Sequence, residues 1–503
     1  MKNESKVKIG WYEADITPDE PIRLSGQFYE RVSESIDSRL TCTALAVECG
    51  EEKFVLCSCD LVGVPNYLVE EAKRLLAGKL DVPFDNIIFS ATHTHASYVL
   101  QDPSGKAQPM NLNYLAKRVP SDMPYVSLST GKAYMSDEKT FAIISKGMAE
   151  AVLGAWNARC AASYQNAFGR VVVGMCRRAC YDDGSAKMWG ETNHANFTAL
   201  EGGNDSGVEL IYTFSEDGEL TGVVANIACP AQVLEQRDYI SSDYWGRVKM
   251  NLEKRFGRKI HVLGLCAAAG DQCPRDLIRW VEPETHVKDP NIKHFYPVER
   301  RADPSMYDKR GLDLVGKRIA NEIVSVYEEL PDERCDTAVL VCETLRVLQP
   351  LRRVTIREYE EAVAKIDAFI AANRGKTIGY EDKARLHIYS GAIERYEKQQ
   401  TMNNYEIDVH IIRFGDIAIA TNPYELFLDY GNIIRARSKA KQTFLVQLAN
   451  ANTVVGNGIC GYLPTRKAEE GGHYSAYVSS GYTGHEGGDI LVRETVEKIN
   501  RLF

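Results

Sequence analysis

Apolar positions along the chain follow two patterns: short unbroken runs, and longer stretches in which they return every three or four residues. The runs at 8–18, 40–48, 53–61, 87–91, 169–175, 208–214, 220–228, 261–266, 338–347, 407–414 and 417–420 read as strands. Helical spacing is found at 68–80, where Leu68, Val69, Ala72, Leu75 and Leu76 share a face, and again at about 141–156 and 312–330. Further helices are expected from Ser242 or Asp243 to Phe256, from Pro423 to Arg437, and up to Leu502. Glu216-Asp217-Gly218 and Gly415-Asp416 supply hairpin turns. Strand 53–61, helix 68–80 and strand 87–91 form a βαβ unit, so the two strands should run parallel. Together these elements predict an α/β fold, with mixed β-sheets covered by helices in a single large domain spanning 1–503. Two polar-amphipathic helical patterns, 356–373 and 381–400, predict a helical hairpin projecting from that domain as a scaffold or oligomer contact. Residues 100–137 are polar and aperiodic and are expected to act as a lid or substrate-binding wall. Residues 276–308 are irregular and charged, and no tandem repeat is visible.

Composition narrows the function. The 503 residues are 44% hydrophobic and 26% charged, which suits an ordinary globular protein with ample core. A net charge of −9 argues against a nucleic-acid partner. The N-terminus has no apolar signal-like stretch and no apolar run is long enough to span a bilayer, so a cytoplasmic protein is expected. The thirteen cysteines sit mostly inside apolar runs and read as reduced, buried thiols; Cys57-x-Cys59 and Cys176-x₃-Cys180 are read as structural rather than as metal sites.

The chemistry concentrates at strand ends. In Asn86–Ser97 the strand 87–91 runs into Thr92-His93-Thr94-His95, at the edge where open α/β sheets keep their ligands. If extended geometry persists, His93 and His95 share a face, which suits a metal ion or one ligand beside one acid/base; the same spacing also suits two histidines that are merely hydrogen-bonded. Asp60, at the end of the neighbouring strand, is a candidate carboxylate behind them. Arg177 and Arg178 follow a strand and could clamp a carboxylate or phosphate, although a solvated pair is commoner. Asp271 and Cys273 follow the small residues Ala267–Gly270, and Glu425 follows Asn422-Pro423.

These strand ends carry short motifs in a fixed order: Asp15-Ile16-Thr17-Pro18 with Ser25-Gly26, Thr92-His93-Thr94-His95, Arg177, Ser241-Ser242-Asp243, Gly270-Asp271-x-x-Pro274, Asn422-Pro423-x-Glu425, and Gly461-Tyr462-x-Pro464-Thr465 with Gly472 and Tyr474. In that order they resemble the motifs of the neutral (non-lysosomal, alkaline) ceramidase family over nearly the whole chain. The resemblance implies a zinc ion held by two His, a Glu and a Tyr, whose water attacks the amide of ceramide to release sphingosine and a fatty acid. Carried over by position, His93 is the first ligand, Glu425 the carboxylate ligand and Tyr462 the phenolate-like ligand. The resemblance puts His95 beside the metal as proton acceptor or hydrogen-bond partner, and Tyr474 and Arg177 against the oxyanion or the substrate's polar head. Asp271 belongs to the same pocket.

The chain departs from that pattern in three places. No histidine stands at 228–231, where the second ligand is expected; Cys229 as a thiolate, His194 moving in, a three-ligand metal and no metal at all are the alternatives. Cys273 replaces the family's serine, as a nucleophile or in a packing role. Up to Phe503 the C-terminal immunoglobulin-like domain is not expected. The function expected is zinc-dependent hydrolysis of an amide (N-acyl) bond in a small molecule, with lipid amides among the candidates and ceramide not required. The rival reading is a non-catalytic relative with an altered metal site that binds another small polar or glycan-derived ligand. A glycosidase-like use of Asp60 and Asp271 has little support.

Overall fold

The βαβ unit legible at 53–91 is part of a larger motif that the chain uses three times. The computed structural model describes residues 4–103, 118–126, 129, 131–279 and 308–503. In the first unit β1 (Ser5–Asp15) pairs antiparallel with β2 (Thr41–Cys49), β2 turns back into β3 (Glu52–Cys59), and helix α1 (Asn66–Leu76) crosses over to β4 (Ile87–Ala91), parallel to β3. Helix α2 (Asp137–Asn157) then packs on α1. The second unit repeats this order with β5 (Cys160–Arg170), β6 (Gly207–Ser215), β7 (Leu220–Ile227), α3 (Tyr244–Phe256), the parallel strand β8 (His261–Cys266) and α4 (Asp308–Glu328). The third has β9 (Leu340–Pro350), the paired helices α5 (Ile356–Ala372) and α6 (Tyr380–Lys398), β10 (Asn404–Phe414), β11 (Ile417–Thr421), α7 (Leu428–Arg437), the parallel strand β12 (Gln442–Val446) and α8 (His485–Leu502). In each unit the hairpin before the crossover carries a left-handed glycine: Gly50, Gly218 or Gly415, with φ of 63, 82 and 60°.

The first two units join through β1 and β5 into one sheet of order β8-β7-β6-β5-β1-β2-β3-β4, with a short strand at Thr337–Ala338 added on β1. The third unit forms its own sheet, β9-β10-β11-β12. Side chains from all three units meet between the sheets, among them Trp11, Leu56, Ile88, Ile211, Leu263, Ile412 and Phe444. Helices cover the outer faces: α1 and α2 over the first unit, α3 and α4 over the second, α7 and α8 over the third. Strands buried on both faces need no polar alternation, which is why they read as unbroken apolar runs.

Three expectations change. The helix expected from Pro423 starts only at Leu428, because Glu425–Leu426 pair as a short strand with Tyr462–Leu463. The strand expected at 169–175 runs instead over Cys160–Arg170; its Gln165 and Asn166 bond to the Pro331 carbonyl and the Gln442 side chain, so polar residues that break the pattern are satisfied inside the protein. The helical hairpin emerges between β9 and β10 as expected, but it folds back on the body, where Ile378 pairs with Tyr125 and the His387 ring lies 4.5 Å from that of Phe28. Residues 104–117, 127–128 and 130 of the lid expected at 100–137, and nearly all of 276–308, lie outside the described residues.

Two predictions follow from this packing. His410 on β10 is buried, bonds to Thr421 Oγ1 at 2.9 Å, and burial pushes its pKa down to about 3. A histidine held neutral in the fold destabilises it below its unfolded pKa of about 6.5, because only the unfolded chain then takes up the proton. Stability should therefore fall from about pH 6.5 downward, with His410 contributing about 2 kcal/mol of that loss by pH 5. Urea melts at a series of pH values should show His410→Gln flattening the profile. Gly270 links the second unit to the third: its N–H donates to the Leu426 carbonyl at 2.8 Å, and a Cβ there would stand 2.2 Å from the Glu425 carbonyl. Gly270→Ala should cost about 1–3 kcal/mol, read as a lowered melting temperature.

Candidate active site

Each parallel strand pair ends both its strands on the same sheet edge, and three such edges meet here. From the first, His93 N–H donates to the Leu61 carbonyl at 3.0 Å, and the backbone at His93 adopts a left-handed φ of 66°. That conformation is costly for a non-glycine residue and marks a locally constrained site. It turns Nδ1 onto the Val62 carbonyl at 2.7 Å and leaves Nε2 3.2 Å from His95 Nε2 and 3.4 Å from Glu425 Oε2. The His95 ring is locked from behind. Gly26, at φ 93°, lies so close that a Cβ would sit 2.2 Å from the ring, and Arg31 donates to the His95 and Ser25 carbonyls. His95 Nδ1 lies 3.3 Å from Glu235 Oε2, with poor hydrogen-bond alignment, and Gln232 Nε2 donates to the same oxygen at 2.9 Å.

The third edge presents Glu425 beside Tyr462. The two are register partners in a short parallel ladder, and Glu425 N–H donates to the Gly461 carbonyl at 2.9 Å. Glu425, Tyr462 and Tyr474 stand side by side, with the two phenol rings edge to face at 5.4 Å. Arg177 donates from Nη2 to the Tyr462 hydroxyl at 3.2 Å and to the Gly270 carbonyl at 2.9 Å. Its neighbour Arg178 points the other way. It forms a buried ion pair with Glu201 at 2.6 Å and donates to the carbonyls of Ala468, Gly472 and Tyr474, so it holds the loop that presents Tyr474. On that loop His473 and Ser475, either side of Tyr474, are both left-handed, with φ of 71° and 72°.

Electrostatics follow from burial and partners. Burial pushes the Glu425 carboxyl up, but His93, Arg177 and Tyr462 outweigh it and hold the group below the usual carboxylate range. Glu235 behaves alike, with burial opposed by His95, Arg275 and Arg177. Burial lowers the His95 pKa, with Glu235 pulling the other way. Burial also pushes the Tyr474 phenol to about 12 and that of Tyr462 well above its ordinary value. Arg177 is disfavoured as a cation by burial but held charged by Tyr462, Cys273 and Glu425.

The structure brings together His93, His95, Arg177, Glu425, Tyr462 and Tyr474, and gives other candidates different surroundings. Asp271 accepts the Leu428 N–H at 2.9 Å at the start of α7, and burial pushes its carboxyl up to about 6. Cys229 is buried in the core, donates weakly to the Val173 and Pro230 carbonyls, and has a thiol pushed far up by burial. Cys273 donates to the Arg275 carbonyl at 3.2 Å, and burial raises its thiol to about 12. His194 is half exposed and paired with Glu191 at 2.6 Å. Asp60 accepts from Thr41 and Thr92 beneath the site. Sequence reasoning did not single out Glu235, Gln232, Trp189 or Arg275. Trp189 is stacked against the guanidiniums of Arg177 and Arg275, at 5.9 and 4.2 Å. Glu235, a few residues after Pro230 at a strand end, carried a positional signal that went unused.

Beyond Gly26 and Val62 opens a cavity of about 740 Å³ whose lining includes Leu24, Phe28, Leu100, Met123, Ile378 and Ile459, with Arg23, Gln27, Glu30, Arg31, Gln101 and Lys383 among its polar residues. The hairpin helix α6 reaches the same wall, and Phe28 stacks edge to face on Tyr474 at 5.2 Å. Among the described residues no three His, Cys, Asp or Glu side chains form a ready metal cage. The donor chemistry nonetheless suits zinc in pairs: His93 Nε2 has a second imidazole nitrogen at 3.2 Å and a carboxylate oxygen at 3.4 Å, and each imidazole has an oxygen on the side of its Nδ1.

No family model matches the chain, and no curated protein matches it. Solved structures do. Neutral ceramidase from Pseudomonas aeruginosa superposes with a TM-score of 0.64 at 16% identity, over 99% of this chain and 75% of that one. A ceramidase complexed with C2 superposes at 0.63 and 15% identity, with the same coverage. No helix among the described residues is long and apolar enough to cross a membrane. With 99% of this chain superposed, the chain has the fold of neutral ceramidase.

Proposed function

We propose that the chain is a metal-dependent hydrolase of amide bonds, acting on a small molecule whose acyl group is apolar. The observation that carries this reading is the placement of His93 Nε2 between His95 Nε2 and Glu425 Oε2, beside the cavity lined by Phe28 and Ile378. His93, Glu425 and Tyr462 are the side chains that would hold the metal. Bound zinc lowers the pKa of its water to about 7 and polarises a carbonyl. Arg177 and Tyr474 supply donors for the oxygen on which charge develops, and the cavity takes the acyl chain while excluding water from it. Trp189, beside Arg177 and Arg275, is suited to line the leaving-group side. A non-catalytic relative would retain Glu235, Glu425, Arg177 and Arg275 buried together at a cost in stability and with no use for them.

Chelation should abolish hydrolysis of N-acyl amides, and stoichiometric zinc should restore it. A protein whose activity and melting temperature ignore both treatments is not this enzyme. In a screen of acyl chain lengths that includes short-chain ceramides, kcat/KM should rise with length until the cavity is filled. Tyr474→Phe should lower kcat by about 10²–10³-fold with a smaller change in KM and unchanged metal content.

A further inference from the structure

Neither candidate for the missing second imidazole ligand stands at the site: Cys229 donates into the core and His194 is paired with Glu191 at the surface. What does stand there is a second imidazole facing the first. His93 Nδ1 is 2.7 Å from a backbone carbonyl, which only accepts, so this nitrogen carries the proton and Nε2 the lone pair. His95 Nδ1 makes no aligned hydrogen bond, but the nearest charge to it is the Glu235 carboxylate at 3.3 Å, which favours a proton on that nitrogen and a lone pair on His95 Nε2. Two bare nitrogens at 3.2 Å repel each other unless a cation lies between them. Placing the proton on His95 Nε2 instead would turn a bare Nδ1 toward a carboxylate, which is no better. The spacings of 3.2 Å to His95 and 3.4 Å to Glu425 also match the edge of a tetrahedron of donors around zinc, about 3.3 Å for bonds of about 2.0–2.1 Å.

We infer that His95 is the second imidazole ligand of the metal, and that Glu235 is the positioning carboxylate behind it, so that one strand end supplies both histidines. This rests on the metal-dependent reading above. Gly26 takes part because only a residue without a side chain lets the backbone press on the His95 ring, and Gln232 steadies Glu235 on its other side. Each imidazole then has an oxygen on its Nδ1 side: the Val62 carbonyl, bonded at 2.7 Å, for one, and the Glu235 carboxylate, 3.3 Å away, for the other.

The test loads the full chain with one equivalent of zinc and counts nitrogen ligands by X-ray absorption at the zinc edge, a measurement that needs no substrate and no variant. Two imidazoles are expected. His95→Gln should reduce the count to one and weaken zinc binding at least 10²-fold, and Glu235→Gln should weaken it about 10–100-fold. Cys229→Ser and His194→Ala should bind zinc as the unsubstituted chain does. A single imidazole in the unsubstituted protein, or His95→Gln keeping full zinc affinity while turnover falls, would overturn this assignment, make His95 an acid/base and leave the metal-dependent reading standing. A chain that takes up no zinc at all removes both.

Discussion

A parallel strand pair cannot be closed by a tight turn, so a helix must cross over and both strands finish on the same edge. The chain meets this constraint three times, at β3–β4, β7–β8 and β11–β12, and the site gathers where those edges adjoin. The first unit contributes the imidazoles, the second Gln232, Glu235 and Arg275, and the third Glu425. Contacts between units set the distances among these groups: Gly270 against Glu425, the Ala231 N–H on the Thr92 carbonyl, and Thr94 Oγ1 on the Ser241 carbonyl.

Buried charge explains why the arrangement is rigid. Arg177 and Arg275 are 3% and 4% exposed, and Glu425 and Glu235 remain ionised only because cations and imidazoles neighbour them. Removing one member of such a set leaves another uncompensated, which costs far more than a surface pair is worth. Left-handed non-glycine residues surround the same region, His93, Trp189, Asp243, His473 and Ser475 among them. Their strain is sustained by the surrounding contacts, of which Arg178 with Glu201 is the most deeply buried.

Much of this was legible in the sequence. The βαβ unit, most strands, the helical hairpin, and His93, Glu425 and Arg177 follow from apolar runs, turn residues and strand ends, whereas Tyr462 and Tyr474 were marked only by the resemblance of their motifs. The threefold recurrence did not, because buried strands accept any apolar residue and the units are separated by insertions of unequal length. Strand β5 hid behind Gln165 and Asn166, whose partners are distant in sequence. Trp189 was missed for a related reason: its surroundings alone show its involvement, and nothing local in the sequence does, whereas Glu235 had only its place shortly after a strand end to mark it.

In every unit the excursion after the first strand builds a wall of the pocket. Residues 16–40 bring Gly26, Phe28 and Arg31, residues 171–206 bring Arg177 and Trp189, and residues 351–403 bring Ile378, Lys383 and His387. The sheets and crossovers fix where the reacting groups stand, whereas these excursions shape what surrounds them. Apart from Arg177, which the second excursion adds to the site itself, these segments surround the site rather than form it, and an excursion can be exchanged for one of another length without disturbing the register of any strand. A scaffold of this kind lends itself to acquiring new substrates by grafting.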